Sequence, residues 1–344
     1  MLTVASFLTP ARQQGVKFIT MKKIRLVILV GLTCSTFAFA QKAKTREFTP
    51  AIGYYKSLQA FSPQPKSVTA EIDKQKFPYD PASAERRLSL KPYYLGNVTL
   101  NDFKIPGPPA NSSEQTRAEI NYLLALQQQR TQLDVESSLY MAGVYYNPRI
   151  KPEDSLFHQY RQHLFHIGRS IGSWFNPKDL PLTADLMAHV WQDASYFIWG
   201  FKYKYLRIRP YVIDTDVENL EETDWAAYPS GHAANSYINA YIYQELAPEF
   251  TEVFIKDAYD MAHSREIIGV HYPSDSEASR ILARQFVNKL FQNEMFLKDF
   301  ELVKKEWAKK AMETFVKPKL TSLAPKKATS CNDKVASSCA KKCE

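Results

Sequence analysis

The sequence predicts an all-α protein, a bundle of helices whose functional residues lie on the connections between them. Three observations favour this class. Apolar residues recur at three- and four-residue spacing in several long segments, no segment shows the alternation of a half-buried strand, and Pro, Ser and Gly mark the segment ends. Because this spacing puts apolar side chains on one face of each helix, the helices must bury those faces against one another.

The predicted helices follow one another along the chain. The first begins after the Pro-rich stretch KIPGPPANSS, where Ser112 and Ser113 are start signals, and it carries Ile120, Leu123, Leu124 and Leu126. Further helices are predicted at about 134–145, 154–172, 182–200, 230–246, 250–268 and 275–295. A last amphipathic helix is predicted in the basic stretch 297–315.

Four segments divide the 344 residues. Residues 1–40 are predicted to be an upstream extension and a signal peptide, because MKKIRLVILVGLTCSTFAFAQ has a basic start, an apolar run and an A-x-A site, with Met21 as the start and cleavage after Ala40. Lipidation at Cys34 is a second, weaker reading of this segment. Residues 41–95 are predicted to be an irregular arm, 96–296 the helical domain, and 297–344 a basic helix and a tail. A cleaved signal predicts a periplasmic or secreted protein.

The formal net charge of +8 comes from the ends of the chain. Residues 1–40 carry five Lys/Arg and no acid, and residues 301–344 carry a net charge of +6, which leaves −3 for residues 41–300. This distribution gives no case for nucleic-acid binding. After the predicted signal, no apolar stretch is long enough to span a membrane.

Cysteine is absent from the predicted helical domain, and a Lys/Ser/Ala-rich tail holds Cys331, Cys339 and Cys343. Their spacing matches no common zinc pattern and no histidine accompanies them. In an exported protein we expect one disulfide and a spare thiol on the tail, with a metal site as the less favoured alternative. The role of the tail and of the arm stays open.

The segment HSREIIGVHYPSD breaks the helical pattern between two helices. Gly269 is a stop signal, and Pro273 cannot continue a helix because it lacks an N–H. The letters SDSE after it, from Ser274, form a capping-box pattern. His271 is then predicted in a short connection and Asp275 in the first turn of the next helix, where its carboxylate can bind one imidazole nitrogen and leave the other a lone pair. Alone, the segment fits a capped helical corner equally well.

Two other segments carry residues of the same kind. YPSGHA places Ser230, Gly231 and His232 at the opening of an apolar helix, where free N–H groups and the helix dipole attract anions. KYKYLRIRP places Lys202 seven residues before Arg209 at the end of the preceding helix. Each segment alone is also explained without a ligand, the first as a cap and the second as surface charge that compensates a helix dipole.

Together the three segments specify eleven positions in one order: Lys202, Arg209, Pro210, Pro229, Ser230, Gly231, His232, Ser264, Arg265, His271 and Asp275. This set resembles the phosphatidic acid phosphatase type 2/haloperoxidase superfamily and, within it, the bacterial class A non-specific acid phosphatases. The resemblance covers roughly 100–292 and includes PGPPANSS, YLRIRPY, YPSGHA and SDSEASRILA. It implies the helical bundle of that superfamily.

The resemblance implies a mechanism for the hydrolysis of small phosphomonoesters. His271 would attack phosphorus and form a phosphohistidine, Asp275 would orient it, and His232 would protonate the leaving group. The residues implied to hold the phosphoryl oxygens are Lys202, Arg209, Ser230, Gly231 and Arg265. Fixed cations and a helix N-terminus can stabilise the spread charge of this transition state, so no metal or other cofactor is expected and vanadate is expected to inhibit.

The remaining histidines and acids are weaker candidates. His158, His163 and His166 lie on one predicted helix and are more often surface or packing residues than metal ligands. His189 has no assigned task and His263 is expected to pack. The six acids between Asp214 and Asp224 are predicted to form a solvated loop that connects two site segments and could influence substrate choice.

Two alternatives to an exported acid phosphatase stay open. One is a vanadium-dependent haloperoxidase, which uses the same pocket to hold vanadate. The other is an exported anion-binding or envelope interaction protein with an inactive site. The sequence leaves open the physiological substrate, a homo-oligomer and transfer of phosphate to acceptors other than water.

Overall fold

The structure is a computed structural model that describes residues 70–316. Within this range the chain forms helices and no strand, which confirms the all-α prediction. The α-helices are α1 (Pro81–Leu88), α2 (Glu114–Gln129), α3 (Gln132–Ala142), α4 (Phe157–His163), α5 (Pro181–Tyr205), α6 (Pro210–Ile213), α7 (Gly231–Leu246), α8 (Thr251–Ile267), α9 (Pro273–Leu290) and α10 (Glu294–Val316). Short 3₁₀ segments lie at Ala70–Lys74, Leu100–Asp102 and Pro248–Phe250.

The prediction of one helix at 154–172 is wrong, because α4 has only seven residues and turns follow it. In these turns Gly168 has a φ of +93°, and its N–H donates to the buried Asp257 carboxylate on α8 at 2.8 Å. Phe165 and Ile167 are buried although they lie outside a helix. Their spacing in the sequence is the same as that of a helical face. The turns are held by Asp257 of α8, which accepts the Gly168 N–H.

Helix α7 lies at the centre of the bundle and packs on α5, α8 and α9. Asn239 on this helix accepts a hydrogen bond from Trp191 Nε1 at 2.8 Å, and Tyr243 donates to the Leu164 carbonyl at 2.7 Å. A helix that is buried on nearly all sides has little freedom to shift in a close-packed core. Its N-terminus is therefore a fixed point for the residues around it.

The arm, predicted to be irregular over 41–95, contains regular structure in its described part. Helix α1 begins at Pro81, whose fixed φ suits the first helical position, and the Asp80 side chain accepts the Ala82 N–H at 3.0 Å. Eight residues with few apolar side chains give too short a pattern to reveal this helix in the sequence. Helix α1 packs on α5 and so belongs to the folded body.

A buried carboxylate fastens the end of the arm. Asp193 on α5 accepts the backbone N–H groups of Tyr94 at 2.9 Å and Leu95 at 2.8 Å. Burial raises the pKa of Asp193 to about 6, while these hydrogen bonds act in the opposite direction. The arm is thereby bound to the same helix that carries Lys202.

Helix α5 ends at a residue that turns the chain sharply. Leu206 has a φ of 50°, a left-handed conformation that side-chain-bearing residues rarely adopt, and its N–H donates to the Lys202 carbonyl at 2.9 Å. After this turn the chain is extended at Arg209 and enters α6 at Pro210. The turn brings the end of α5 and Arg209 to one end of the bundle.

Several expectations lie outside the described residues: the signal peptide and its cleavage after Ala40, Cys34, most of the arm and the three tail cysteines. The boundaries of the four segments stay predictions. Between residues 70 and 316, none of the helices combines the length and the apolar character that crossing a membrane requires.

Candidate active site

A cavity of about 520 Å³ opens where α5, α7 and α8 end or begin. Its wall contains six of the residues that the sequence assigned to a site: Lys202, Arg209, Gly231, His232, Arg265 and His271. Ser230 and Asp275 are fully buried and directly contact this group. The fold therefore brings all eight assigned residues together.

His271 lies between α8 and α9, and both of its ring nitrogens are engaged. Nδ1 bonds to Asp275 Oδ2 at 2.9 Å, and Nε2 is 3.0 Å from Arg209 Nη1. A guanidinium nitrogen can only donate, so Nε2 carries a lone pair and the proton of neutral His271 is on Nδ1. This tautomer presents Nε2 as the nucleophilic atom on the cavity side.

Electrostatics keep this pair in the required protonation states. Burial lowers the pKa of His271 well below its ordinary value and the charge of Arg209 adds to the shift, whereas Asp275 opposes it. Burial alone would raise the pKa of Asp275, but the Arg207 guanidinium and the hydrogen bond from His271 hold it below its usual range. His271 is therefore neutral and Asp275 ionised in the ligand-free protein.

The prediction that SDSE forms a capping box at the start of α9 is wrong. The helix begins at Pro273, one residue before the expected cap Ser274. Asp275 makes the cap instead, because its Oδ2 accepts the Tyr272 N–H at 3.1 Å in addition to the bond from the imidazole. Ser274 Oγ donates to Glu119 at 3.0 Å. The Asp275 carboxylate therefore both caps α9 and orients His271.

Two buried residues that the sequence reading missed support Asp275. Arg207 donates from Nη1 to Asp275 Oδ1 at 2.6 Å and from Nη2 to Glu119 Oε2 at 3.2 Å. Its guanidinium carbon lies 3.7 Å from the Tyr272 ring centroid. Arg207 stands two residues before Arg209 in YLRIRPY, which is a usable signal, whereas nothing in the pattern of α2 distinguishes Glu119.

Arg209 presents its charge to the cavity without a carboxylate partner among the described residues. It donates to the carbonyl oxygens of Trp225 at 3.0 Å and Val270 at 2.7 Å, and to His271. Burial lowers the pKa of Arg209 to about 10, so it stays protonated at neutral pH. Carbonyl dipoles hold the side chain in place but do not cancel its charge.

Lys202 is held in the same manner. Its Nζ donates to the carbonyls of Ala226 at 2.7 Å and Ala227 at 3.1 Å. Burial, together with the charge of Arg209, lowers the pKa of Lys202 well below its ordinary value. An anion in the cavity would favour its charged form.

Arg265 is the third cation in the wall. Its Nη2 pairs with Glu221, while Nε and Nη1 are buried and have no hydrogen-bond partner in the part of the chain that the structure describes. Glu221 lies in the acidic stretch 214–224, and other acids of that stretch are also paired: Asp214 with Arg117 and Glu218 with Arg130. The predicted solvated loop is therefore partly an ion-paired wall of the site.

The N-terminus of α7 forms another part of the wall. Ser230 is the N-cap, and its hydroxyl accepts the Ala233 N–H at 3.4 Å. The Ser230 N–H donates to the Asp275 carbonyl at 3.3 Å, which links α7 to α9. Gly231 is the first helical residue and faces the cavity, so its backbone can approach a ligand closely.

His232 follows in the first turn of α7. Its Nε2 lies 3.0 Å from the Ala142 carbonyl, which can only accept, so Nε2 carries the proton. Burial lowers the pKa of His232 well below its ordinary value, the charge of Arg265 adds to the shift, and the hydrogen bond to Ala142 opposes it. In the ligand-free protein His232 is neutral.

The other histidines have structural contacts. His263 binds Glu266 at 3.1 Å and stacks on Tyr259, and His189 stacks on Tyr93. His163 binds the Tyr145 carbonyl at 2.8 Å. Among the described residues, no group of three or more His, Cys, Asp or Glu side chains could hold a metal ion.

Comparison with known proteins finds similarity to bacterial acid phosphatases. The chain is 34% identical to a non-specific acid phosphatase of Providencia stuartii over 151 residues, which are 42% of this chain and 60% of that protein. It is 29% identical to a non-specific acid phosphatase of Salmonella typhi over 143 residues, 40% of this chain and 57% of that protein. The matches thus span less than two thirds of these relatives. They confirm the resemblance that the motifs indicated.

Comparison with solved structures finds proteins that are more distant in sequence. A bacterial vanadium-dependent iodoperoxidase is 18% identical, with a TM-score of 0.47, and the match covers 67% of this chain and 63% of that one. A transmembrane PAP2-type phosphatidylglycerolphosphate phosphatase from Bacillus subtilis is 19% identical, with a TM-score of 0.27 over 50% of this chain and 92% of that one. No family model matches the chain.

Proposed function

We propose that this chain is an acid phosphatase that hydrolyses phosphate monoesters in the cavity through a phosphohistidine. One observation carries the proposal. His271 is fixed between Asp275 and Arg209, neutral and with its Nε2 lone pair towards the cavity, and the same wall holds the cations and a second histidine. The similarity to acid phosphatases supports it.

In the proposed reaction a phosphoryl group displaces Arg209 from His271. The Nε2 lone pair attacks phosphorus, the bond from phosphorus to the ester oxygen breaks, and His232 gives its proton to the leaving oxygen. Neutral His232 then takes a proton from water, which attacks the phosphohistidine and releases inorganic phosphate. Asp275 stabilises the imidazolium character that develops on His271 during the first step.

The three cations supply the electrostatic stabilisation. A phosphoryl transition state spreads negative charge over three equatorial oxygens, and fixed donors around it lower the barrier without further reorganisation. Arg265 has two buried nitrogen atoms without partners, and Lys202 and Arg209 are held by carbonyl groups. The two Arg265 nitrogens can donate to phosphoryl oxygens, and the charges of Lys202 and Arg209 lie beside them, so we propose catalysis without a metal, and inhibition by vanadate.

Binding of the substrate would favour the protonated form of His232, which takes its additional proton from solvent. Burial, and to a smaller extent the charges of Arg265 and Lys202, lower the pKa of His232 and favour its neutral form. A bound phosphate dianion offsets the charges of Arg265 and Lys202, which raises the pKa of His232 towards its ordinary value. General acid catalysis therefore begins when a dianion occupies the site, and the two histidines titrate as a coupled pair.

The similarity to proteins named non-specific acid phosphatases supports weak discrimination between leaving groups. We therefore propose broad specificity for small phosphomonoesters. The A-x-A pattern supports export with cleavage after Ala40, so N-terminal sequencing of the mature protein should begin at Gln41.

Phosphate release from nitrophenyl phosphate tests the proposal. His271→Ala should reduce kcat by about 10⁴- to 10⁶-fold, as when catalytic residues of a covalent mechanism are removed. His263→Ala is the matched control, because this histidine binds Glu266 outside the cavity wall. Wild-type enzyme quenched during turnover should carry phosphate on His271. Phosphate on a serine, or activity that EDTA removes and a divalent metal restores, would refute the mechanism.

A further inference from the structure

The arm reaches the mouth of the cavity. Arg86 and Arg87, at the end of α1, line the same cavity as His271, although the arm lies outside the segment that resembles the acid phosphatases. Packing of α1 on α5 and the bonds of Asp193 to the arm backbone hold them there. Part of the mouth is therefore formed by the arm, none of whose residues has a role in the proposed phosphoryl transfer.

Arg87 is held by aromatic rings and not by a carboxylate. Its guanidinium carbon lies 4.1 Å from the Trp199 ring centroid and 5.7 Å from that of Trp225, and both rings line the cavity. Its Nε is buried and has no hydrogen-bond partner between residues 70 and 316. Stacking on an aromatic face orients a guanidinium without cancelling its charge.

A third arginine, Arg149, also lines the mouth of the cavity. Arg149, which follows α3 in the sequence, donates from Nη2 to the Arg86 carbonyl at 2.8 Å and to Ser89 Oγ at 2.6 Å. These bonds bring Arg149 beside the end of α1. Within residues 70–316, none of Arg86, Arg87 and Arg149 forms an ion pair with a carboxylate.

The charges of the cavity exceed what one phosphoryl group requires. Lys202, Arg209 and Arg265 lie at the inner end beside His271. Glu221, the only acid among the described residues that line the cavity, pairs with Arg265. The three outer arginines therefore add positive charge that neither the inner phosphoryl group nor a described carboxylate uses. Like charges gathered at one mouth repel one another unless an anion binds among them.

We propose that Arg86, Arg87 and Arg149, the outer arginine cluster, bind a second anionic group on the leaving part of the substrate. The preferred substrates are then phosphomonoesters whose alcohol also carries a phosphate or a carboxylate. Trp199 and Trp225 form the wall beside this group. The inference rests on the proposed function, because it assigns the leaving-group end of the same cavity.

Three substrates with one alcohol skeleton test this assignment: propyl phosphate, 3-(phosphonooxy)propanoate and propane-1,3-diyl bisphosphate. The measured quantity is kcat/KM for each of the last two divided by kcat/KM for propyl phosphate, with the bisphosphate corrected for its two equivalent ends. In the wild type this ratio should exceed one for at least one of them. If only the bisphosphate is preferred, the outer arginine cluster binds a second phosphate. If both substrates are preferred, the cluster binds anionic groups in general.

The variants separate charge from structure. Arg86→Gln with Arg87→Gln should reduce the ratio by about tenfold, the effect of two partly exposed charges. Arg86→Lys with Arg87→Lys keeps the charges and should retain most of the ratio. Arg149→Gln should reduce it to a smaller extent. Lys298→Gln on α10, outside the cavity wall, removes one exposed charge and should leave the ratio unchanged.

The outcomes distinguish this inference from the proposed function. Activity on all three substrates with wild-type ratios of one, or with ratios that survive both glutamine substitutions, would overturn the outer subsite and leave the phosphatase proposal intact. Equal losses in the glutamine and lysine double variants would show that the arginines act only on the seating of α1, which also overturns it. Absence of phosphate release from every substrate, nitrophenyl phosphate included, would overturn both.

Discussion

The two ring nitrogens of His271 face two groups of buried charge that are built differently. At Nδ1 lies a closed network, in which Arg207 bridges the carboxylates of Asp275 and Glu119. At Nε2 lies an open group, in which Arg209 and its neighbour Lys202 donate to carbonyl oxygens.

The difference shows how one site can combine rigidity with affinity for anions. In the closed network the Arg207 guanidinium lies between two carboxylates and fixes the orientation of Asp275, so this side supports the nucleophile. Carbonyl groups in the open group hold the cations without cancelling them, so a net positive charge remains for a ligand. Arg265 is intermediate, since Glu221 pairs with it from a loop and is itself 27% exposed.

The largest expected effect comes from opening the closed network at its centre. Asp275→Asn keeps the shape but can present its amide N–H to His271, which favours the wrong tautomer, so kcat for nitrophenyl phosphate should fall by about 10⁴-fold. Steady-state kinetics give the value, and circular dichroism checks the fold. A loss below about tenfold in a folded variant would mean that Asp275 does not set the tautomer.

The next effect concerns the second histidine and depends on the leaving group. His232→Ala should reduce kcat/KM for an alkyl phosphate by about 10²- to 10⁴-fold, the usual contribution of a general acid, and that for nitrophenyl phosphate far less. Nitrophenolate departs without a proton, whereas an alkoxide does not.

The pH profile of the same variant provides the control. Burial and the charge of Arg265 lower the pKa of His232, so wild-type kcat/KM on the alkyl phosphate should fall as pH rises, with the limb below its ordinary value of about 6.5. The limb should be absent in His232→Ala. Equal losses on both substrates would assign His232 to phosphate positioning.

Removing one member of the open group should have a smaller effect. Arg209→Ala should cost about 2.7–4 kcal/mol of transition-state stabilisation, as for one lost oxyanion donor. The fold should persist, because the carbonyl partners of Arg209 can bind water that enters the cavity. Kinetics with nitrophenyl phosphate and thermal unfolding measure the two quantities. Unchanged inhibition by vanadate in this variant would place Arg209 outside the phosphoryl site.

Removal of Arg207 should act on stability. Arg207→Ala leaves Asp275 and Glu119 buried without their cation, so the free energy of unfolding should fall by about 3–5 kcal/mol. The wild-type pKa of Asp275 is depressed, so its contribution is present above the unfolded pKa and is lost as pH falls through the folded one. In the variant the folded-state pKa of Asp275 rises, so this contribution should be smaller and the difference in stability from the wild type should narrow as pH falls. Denaturant titrations from pH 3 to 7 measure it, and Arg169→Ala, whose partner Asp257 lies elsewhere, is the control.

The smallest effect is expected at the loop. Glu221→Gln removes the carboxylate that occupies Arg265, so phosphate and vanadate should inhibit more strongly, by at most about fivefold, because the pair is partly exposed. Glu222→Gln, an exposed neighbour in the same loop, is the matched control. Weaker inhibition in Glu221→Gln would show that Glu221 orients Arg265 for the ligand.

The sequence predicted the helices well where an apolar stripe runs along a whole element. α5, α7 and α8 lie within a few residues of the predicted 182–200, 230–246 and 250–268, with α5 longer at its end. The prediction failed at 154–172, where Phe165 and Ile167 fill the core from turns. Apolar residues at helical spacing indicate which residues are buried. Buried residues need not be helical when another element satisfies the hydrogen bonds of their backbone.

The assigned site residues came from local order along the chain, and the missed ones act over long distances. Lys202, Arg209 and His271 belong to short segments whose spacing is visible in the sequence. Glu119 is 88 residues from Arg207 and 155 from Ser274, so no local pattern could pair them. In the sequence Arg207 is one of several basic residues near the end of α5, where such residues usually compensate the helix dipole.

The sequence by itself determined the helical class, because 3.6-residue periodicity is a property of neighbouring residues, and it pointed to His232 and His271 through the order of motifs that carries the family resemblance. The tertiary structure alone decided which charges are cancelled and which remain. It placed Arg207 between two carboxylates, gave Arg209 only carbonyls and an imidazole, and brought α1 to the mouth of the cavity. The reason is physical: the strength of a charge depends on burial and on partners, and both are fixed only when distant segments pack together.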